Sequence, residues 1–123
     1  MGTNYYLRYS DKVFENATDF FLRKKDEIQE NSTIHIGKSS CGWRFMFQEL
    51  TIGEEVINTF AQWEKLINQD DYEIIDEYGR IRDKFEFFTL VENKQNEECH
   101  LDYGYYGQYL SKDGYDFSDS DFS

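Results

Sequence analysis

Thr33-Ile34-His35-Ile36-Gly37-Lys38-Ser39-Ser40-Cys41-Gly42-Trp43-Arg44-Phe45-Met46-Phe47-Gln48 decides the fold. Ile34 and Ile36 alternate with polar neighbours over Thr33 to Gly37. Trp43, Phe45 and Phe47 alternate again with Arg44, Met46 and Gln48. Successive side chains of a strand point to opposite faces, so period two predicts two strands. Lys38 to Gly42 is short and polar, which predicts a connection between antiparallel partners.

Outward from this pair, Tyr5-Tyr6-Leu7-Arg8-Tyr9 predicts a strand rich in β-favouring aromatics. Asp19 to Gln29 predicts a helix, with Asn16, Thr18 or Asp19 as its cap. After Gly53, the spacing of Val56, Phe60, Trp63 and Ile67 predicts an amphipathic helix from Glu54 to Asn68. Glu54 and Glu55 would then sit at the positive end of its dipole. Tyr72 to Ile75 reads as a short strand, and Asp76-Glu77-Tyr78-Gly79-Arg80 as a turn with Gly79 at positive φ. Beyond Asp83 two patterns compete. Phe85, Phe88 and Val91 recur at three-residue spacing, as in a helix, while Phe85, Phe87 and Thr89 alternate, as in a strand. The expectation is an α+β fold: a small antiparallel sheet with two or three helices packed on one face.

The chain has 123 residues, enough for one domain. Folding should reduce its accessible surface from roughly 21,000 Å² to roughly 7,000 Å². The 23 aromatics (10 Tyr, 11 Phe, 2 Trp) would supply much of the core. With 25 Asp and Glu against 13 Lys and Arg, the net charge is -12. That sign opposes direct binding to a phosphate backbone. Two cysteines do not make a disulfide scaffold, and no apolar run approaches the ~20 residues of a membrane-spanning helix. Met1 to Tyr9 shows no basic region followed by an apolar stretch, so a cytoplasmic protein with reduced Cys41 and Cys99 is expected.

Residues 1–95 read as the α+β core and 96–123 as an acidic, Tyr-rich segment packed on the same domain. From Glu92 to Ser123 there are eight acids and two bases, so half of the net charge lies in about the last quarter. Its five Tyr and two Phe distinguish it from an ordinary disordered tail. Carboxylates spread beside aromatics can imitate a phosphate array and hold a basic protein surface. Asp102, Asp113, Tyr115, Asp116, Phe117, Asp119 and Asp121 are the candidate partner-binding residues. The plainer alternative is a solvated face.

Gly37-Lys38-Ser39-Ser40 resembles the end of a P-loop, but Ser32 stands where the motif needs Gly and a strand follows where it needs a helix. A simpler anion site remains, with His35, Lys38, Ser39, Ser40 and Arg80 as candidates. His35, Cys41, Cys99 and His100 lack the spacing of a zinc site. Asp70-Asp71, Asp76-Glu77 and Glu97-Glu98 read as solvated carboxylates. No metal, no cofactor and no catalytic constellation is expected.

Several stretches together carry a resemblance: Met1 to Tyr6, His35 to Ser40 with Gly42, Trp43 and Phe45, then Trp63, Asp76 to Arg80, Gly114 to Phe117, and Phe122-Ser123. Over most of its length the chain resembles a family of small, uncharacterised proteins of tailed phages. Many of them carry a cysteine-bearing insert, whereas Lys12 to Ser32 contains no Cys. The resemblance implies a phage protein acting in a bacterial cytoplasm and assigns no residue a role. The expected function is inhibition of a host defence or nucleic-acid-processing complex, as anti-CRISPR proteins do, through a host protein's basic surface. The alternative is a protein that binds phosphate or a nucleotide and sequesters a signalling nucleotide.

Overall fold

The computed structural model describes residues 2–10, 33–52, 54–100 and 107–120. The helix expected over Asp19 to Gln29 lies outside these residues. In chain order the elements are β1 (Gly2–Tyr9), β2 (Ile34–Ser40), β3 (Met46–Gln48), β4 (Leu50–Ile52), β5 (Glu55–Ile57), α1 (Phe60–Ile67), β6 (Tyr72–Asp76), β7 (Ile81–Arg82), α2 (Lys84–Lys94), β8 (Gln108–Leu110) and β9 (Asp116–Ser118). Seven strands form one sheet in the order β7-β6-β1-β2-β3-β9-β8, and β4 and β5 form a separate hairpin. The sheet is antiparallel except where β3 runs parallel to β9. This is an α+β arrangement, with a larger sheet than the small one expected.

The quoted stretch does form an antiparallel pair, with Gly37 opposite Phe47 and Lys38 opposite Met46. Its connection is shorter than expected. Lys38, Ser39 and Ser40 are strand residues paired with Asn4, Thr3 and Gly2 of β1. The start of β1 supplies ladder partners that Ser-rich composition gives no hint of. The turn that follows is closed by the Trp43 N–H donating to the Ser40 carbonyl at 3.1 Å, with Gly42 at φ 81°. Trp43 is 44% exposed, so only Phe45 and Phe47 of the expected apolar row enter the core.

The amphipathic helix is also shorter. Glu55 and Val56 belong to the β4–β5 hairpin, and Val56 is exposed. Thr59 caps α1 through a capping box with Gln62, and Phe60, Trp63 and Ile67 are its buried face. Glu54 and Glu55 therefore do not face its dipole. A distant carboxylate does: Asp113 accepts from the Phe60 and Ala61 N–H groups at 3.2 and 2.9 Å.

Beyond Asp83 the helix wins, because the Asp83 carboxylate accepts from the Glu86 N–H at 2.9 Å and caps α2. Its buried residues are Phe87 and Val91, four apart, while Phe85 projects into solvent. Both helices add side chains to one cluster with Leu7, Ile36, Phe45, Phe47, Ile74 and Phe117. Phe45 sits among rings, with centroids 4.7 Å from Phe47 and 5.4 Å from Phe87. The later residues complete the sheet: β9 lies between β3 and β8, and Phe117 stacks on Phe47 at 5.3 Å.

Candidate functional site

The end of β2 sends its side chains alternately to two depressions, as pleating requires. Lys38 and Ser40 line a small one of about 90 Å³ with Trp43, Arg44 and Met46. The backbone of this wall is held from two sides. Trp43 is tied to Ser40 by the turn and bridges Cys99, and the Arg44 N–H donates to the Cys99 carbonyl at 2.9 Å. The Lys94 ammonium donates to the Ser40 carbonyl at 2.8 Å. Three cationic side chains thus gather around one strand end in a chain of net charge -12. The Arg44 Nε–H is buried and meets no acceptor among the described residues.

Ser39 and Cys41 face a wider cleft of about 640 Å³, which Thr3, Glu77, Tyr78 and Lys94 also line. The Glu77 carboxylate there accepts from the Asn4 N–H at 3.0 Å. The five residues expected to hold an anion therefore do not converge. Lys38 and Ser40 share the small pocket, and Ser39 points elsewhere. His35 Nε2 is 2.9 Å from the Asn4 side-chain oxygen, with its ring beside Tyr6. Arg80 pairs with Asp76 at 3.1 Å and lies over the Tyr78 ring.

The expected partner-binding set is redistributed more strongly. Asp102 and Asp121 lie outside the described residues. Asp113, expected as a solvated carboxylate, is the second cap of α1 and also accepts from the Ser111 hydroxyl at 2.5 Å. Burial alone would raise its pKa, but the Ser111 hydroxyl and the Ala61 and Phe60 N–H groups hold it below the usual value. Asp116 and Phe117 are buried, at 1% and 0% exposure, because β9 is an interior strand. Tyr115 stacks on Phe60 at 4.3 Å and donates its hydroxyl to Glu92 at 2.7 Å. Burial first, then the Glu92 acceptor and its charge, push that phenol's pKa up. Of the seven, Asp113 and Asp119 are exposed among the described residues, and Asp113 is taken up by the start of α1.

Trp43 and Arg44 are the site residues that sequence reasoning missed. Alternation puts Trp43 in one row with Phe45 and Phe47, and Arg44 in the opposite row with Met46 and Gln48. The available signal was Gly42, whose positive φ ends the strand geometry and frees Trp43 from the pleat. Among the described residues no three His, Cys, Asp or Glu side chains group to hold a metal ion, and Cys41 and Cys99 are free and exposed. No protein family, curated protein or solved structure matches the chain.

Proposed function

We propose that this protein binds a small phosphate-bearing ligand at the Lys38–Ser40–Arg44 pocket, as a binding protein with no reaction of its own. The gathering of Lys38, Ser40 and Arg44 around one pocket carries this reading. Lys38 and Arg44 supply positive charge and Ser40 a hydroxyl. Sequestering such a ligand from a host defence system fits the phage origin that the sequence resemblance implies.

Calorimetric titration with inorganic phosphate tests this. Binding should occur, and Arg44→Met, which keeps the aliphatic stem, should weaken it about 10- to 150-fold, as expected for a charge-assisted hydrogen bond. Circular dichroism should be unchanged. The proposal fails if millimolar phosphate produces no heat with the wild type, or if Arg44→Met binds as well.

A second reading keeps the inhibitor of a host defence or nucleic-acid-processing complex. It is favoured by exposed carboxylates away from the expected segment: Glu54, Glu55, Glu64, Asp70 and Asp71. A partner captured from a bacterial host should then associate faster at 0.01 M than at 0.15 M salt, because the Debye length falls from about 30 to about 8 Å. Salt-independent association would end that reading.

A further inference from the structure

We infer that the ligand of this pocket is a mononucleotide, with its phosphate between Lys38 and Arg44 and its base laid on the exposed face of Trp43. The inference rests on the anion-binding reading above and names the ligand class.

Volume is the first argument. At about 90 Å³ the pocket is smaller than the ~300–1,000 Å³ of sites that enclose a whole ligand, and it has room for one compact head group. Whatever the head group is attached to must leave through the mouth and lie along the rim. Trp43 forms that rim with 44% of its surface exposed, in a chain whose other tryptophan, Trp63, is fully buried.

Rigidity is the second argument. The backbone beneath the indole is pinned by the bond to Ser40 and the bridge to Cys99. A ring carried on a fixed backbone has only its two side-chain torsions to lose when a second ring stacks on it. Every base has a π-face, so an aromatic platform takes a nucleobase without needing base-edge contacts. The Met46 thioether, soft and polarizable, completes the wall.

Net charge selects among phosphate-bearing ligands. A nucleic-acid strand would offer the same phosphate and base, but its further phosphates would run over a protein of net charge -12. One phosphate enters the cationic spot and leaves the acidic surface alone.

The test is a calorimetric titration of the full chain, with indole emission followed in the wild type, using inorganic phosphate, AMP, CMP and a short single-stranded oligonucleotide. The mononucleotides should bind about 5- to 150-fold tighter than phosphate, the range of one base–aromatic stack, and should quench indole emission. Trp43→Leu should remove the advantage of the mononucleotides over phosphate, measured within that variant. Trp43 is outside the core, so this variant should fold, and an unchanged urea midpoint checks that. Arg44→Met should weaken all of these ligands together. If phosphate binds and the mononucleotides bind no tighter, the stacking inference is overturned while the anion pocket stands. If neither binds, both fall. An oligonucleotide that binds tighter than either mononucleotide overturns the assignment to a mononucleotide.

Discussion

Trp63→Ala should lower the free energy of unfolding by about 3–5 kcal/mol, the range for deleting a buried large aromatic. The indole is fully buried in the hydrophobic cluster shared by α1, α2 and the sheet. Its Nε1–H also donates to the Gln48 carbonyl at 2.9 Å, joining α1 to β3. Gln48 is itself buried and donates through its side-chain amide to the Ser118 and Ser120 carbonyls at 3.2 Å each. The substitution therefore leaves a cavity and an unpaired carbonyl at the junction of helix, β3 and β9. Trp63→Phe fills most of the cavity and isolates the carbonyl's share, about 1–3 kcal/mol. A domain of this size is stable by about 5–15 kcal/mol, so the alanine variant loses a large part of its margin. Urea denaturation should show a lower midpoint at unchanged slope. A midpoint equal to the wild type would show that Trp63 does not anchor α1.

The part of the fold legible in the sequence is the part fixed by neighbours in the chain. Alternation over Thr33 to Phe47 marked β2 and β3. Gly79 marked the turn after β6, where its φ is 80°, while beyond Asp83 the apolar pattern left helix and strand open until the cap decided it. These signals are local because capping bonds, pleating and backbone sterics act over a few residues. Two failures show where locality ends. Val56 stands at helical spacing from Phe60, yet Thr51, Ile52, Val56 and Ile57 are β-branched and pair across a hairpin. The second is β9. Its parallel pairing with β3 joins residues 46–48 to 116–118, and neither segment contains information about the other. Once β9 is an interior strand, Asp116 and Phe117 cannot be surface residues, so the acidic segment loses most of its expected role. The pocket was half legible. Lys38 and Ser40 stood out as an anion motif, whereas Arg44 joins them only once the chain has turned at Gly42.

Asp76→Ala should cost about 3 kcal/mol and should remove part of the protein's acid sensitivity. Asp76 ends β6 with 2% of its surface exposed. One carboxylate oxygen accepts from the Tyr78 and Arg80 N–H groups at 2.9 and 3.0 Å, and the other from the Arg80 Nε–H at 3.1 Å. Arg82 lies 3.7 Å away. Hydrogen bonds to a charged group contribute about 1.5–3 kcal/mol each and do not add in full. Both arginines are exposed enough to be hydrated when left alone, which keeps the cost at about 3 kcal/mol. Burial by itself would raise the Asp76 pKa, but the Arg80 and Tyr78 N–H groups and the Arg80 guanidinium outweigh it and hold the value below the ordinary one. The sign follows from linkage. A carboxyl whose folded pKa lies below its unfolded value of about 3.9 stabilises the fold above that pH, and the contribution disappears as pH falls through the folded value. Asp113 is shifted in the same direction, so the wild type should lose stability steeply below about pH 4. Asp76→Asn retains an acceptor for the two backbone N–H groups and loses the charge. It should fall between wild type and Asp76→Ala at pH 7, with a shallower loss on acidification. Urea midpoints at pH 7 and pH 3 for the three proteins measure both effects. An alanine variant within about 0.5 kcal/mol of wild type, the usual range for a surface substitution, would mean that the turn holds itself without Asp76. The consequence for the wider cleft is direct. The same turn carries Glu77, whose carboxylate caps the Asn4 N–H of β1, so loosening Asp76 should also open the edge of the cleft that Thr3 and Glu77 line.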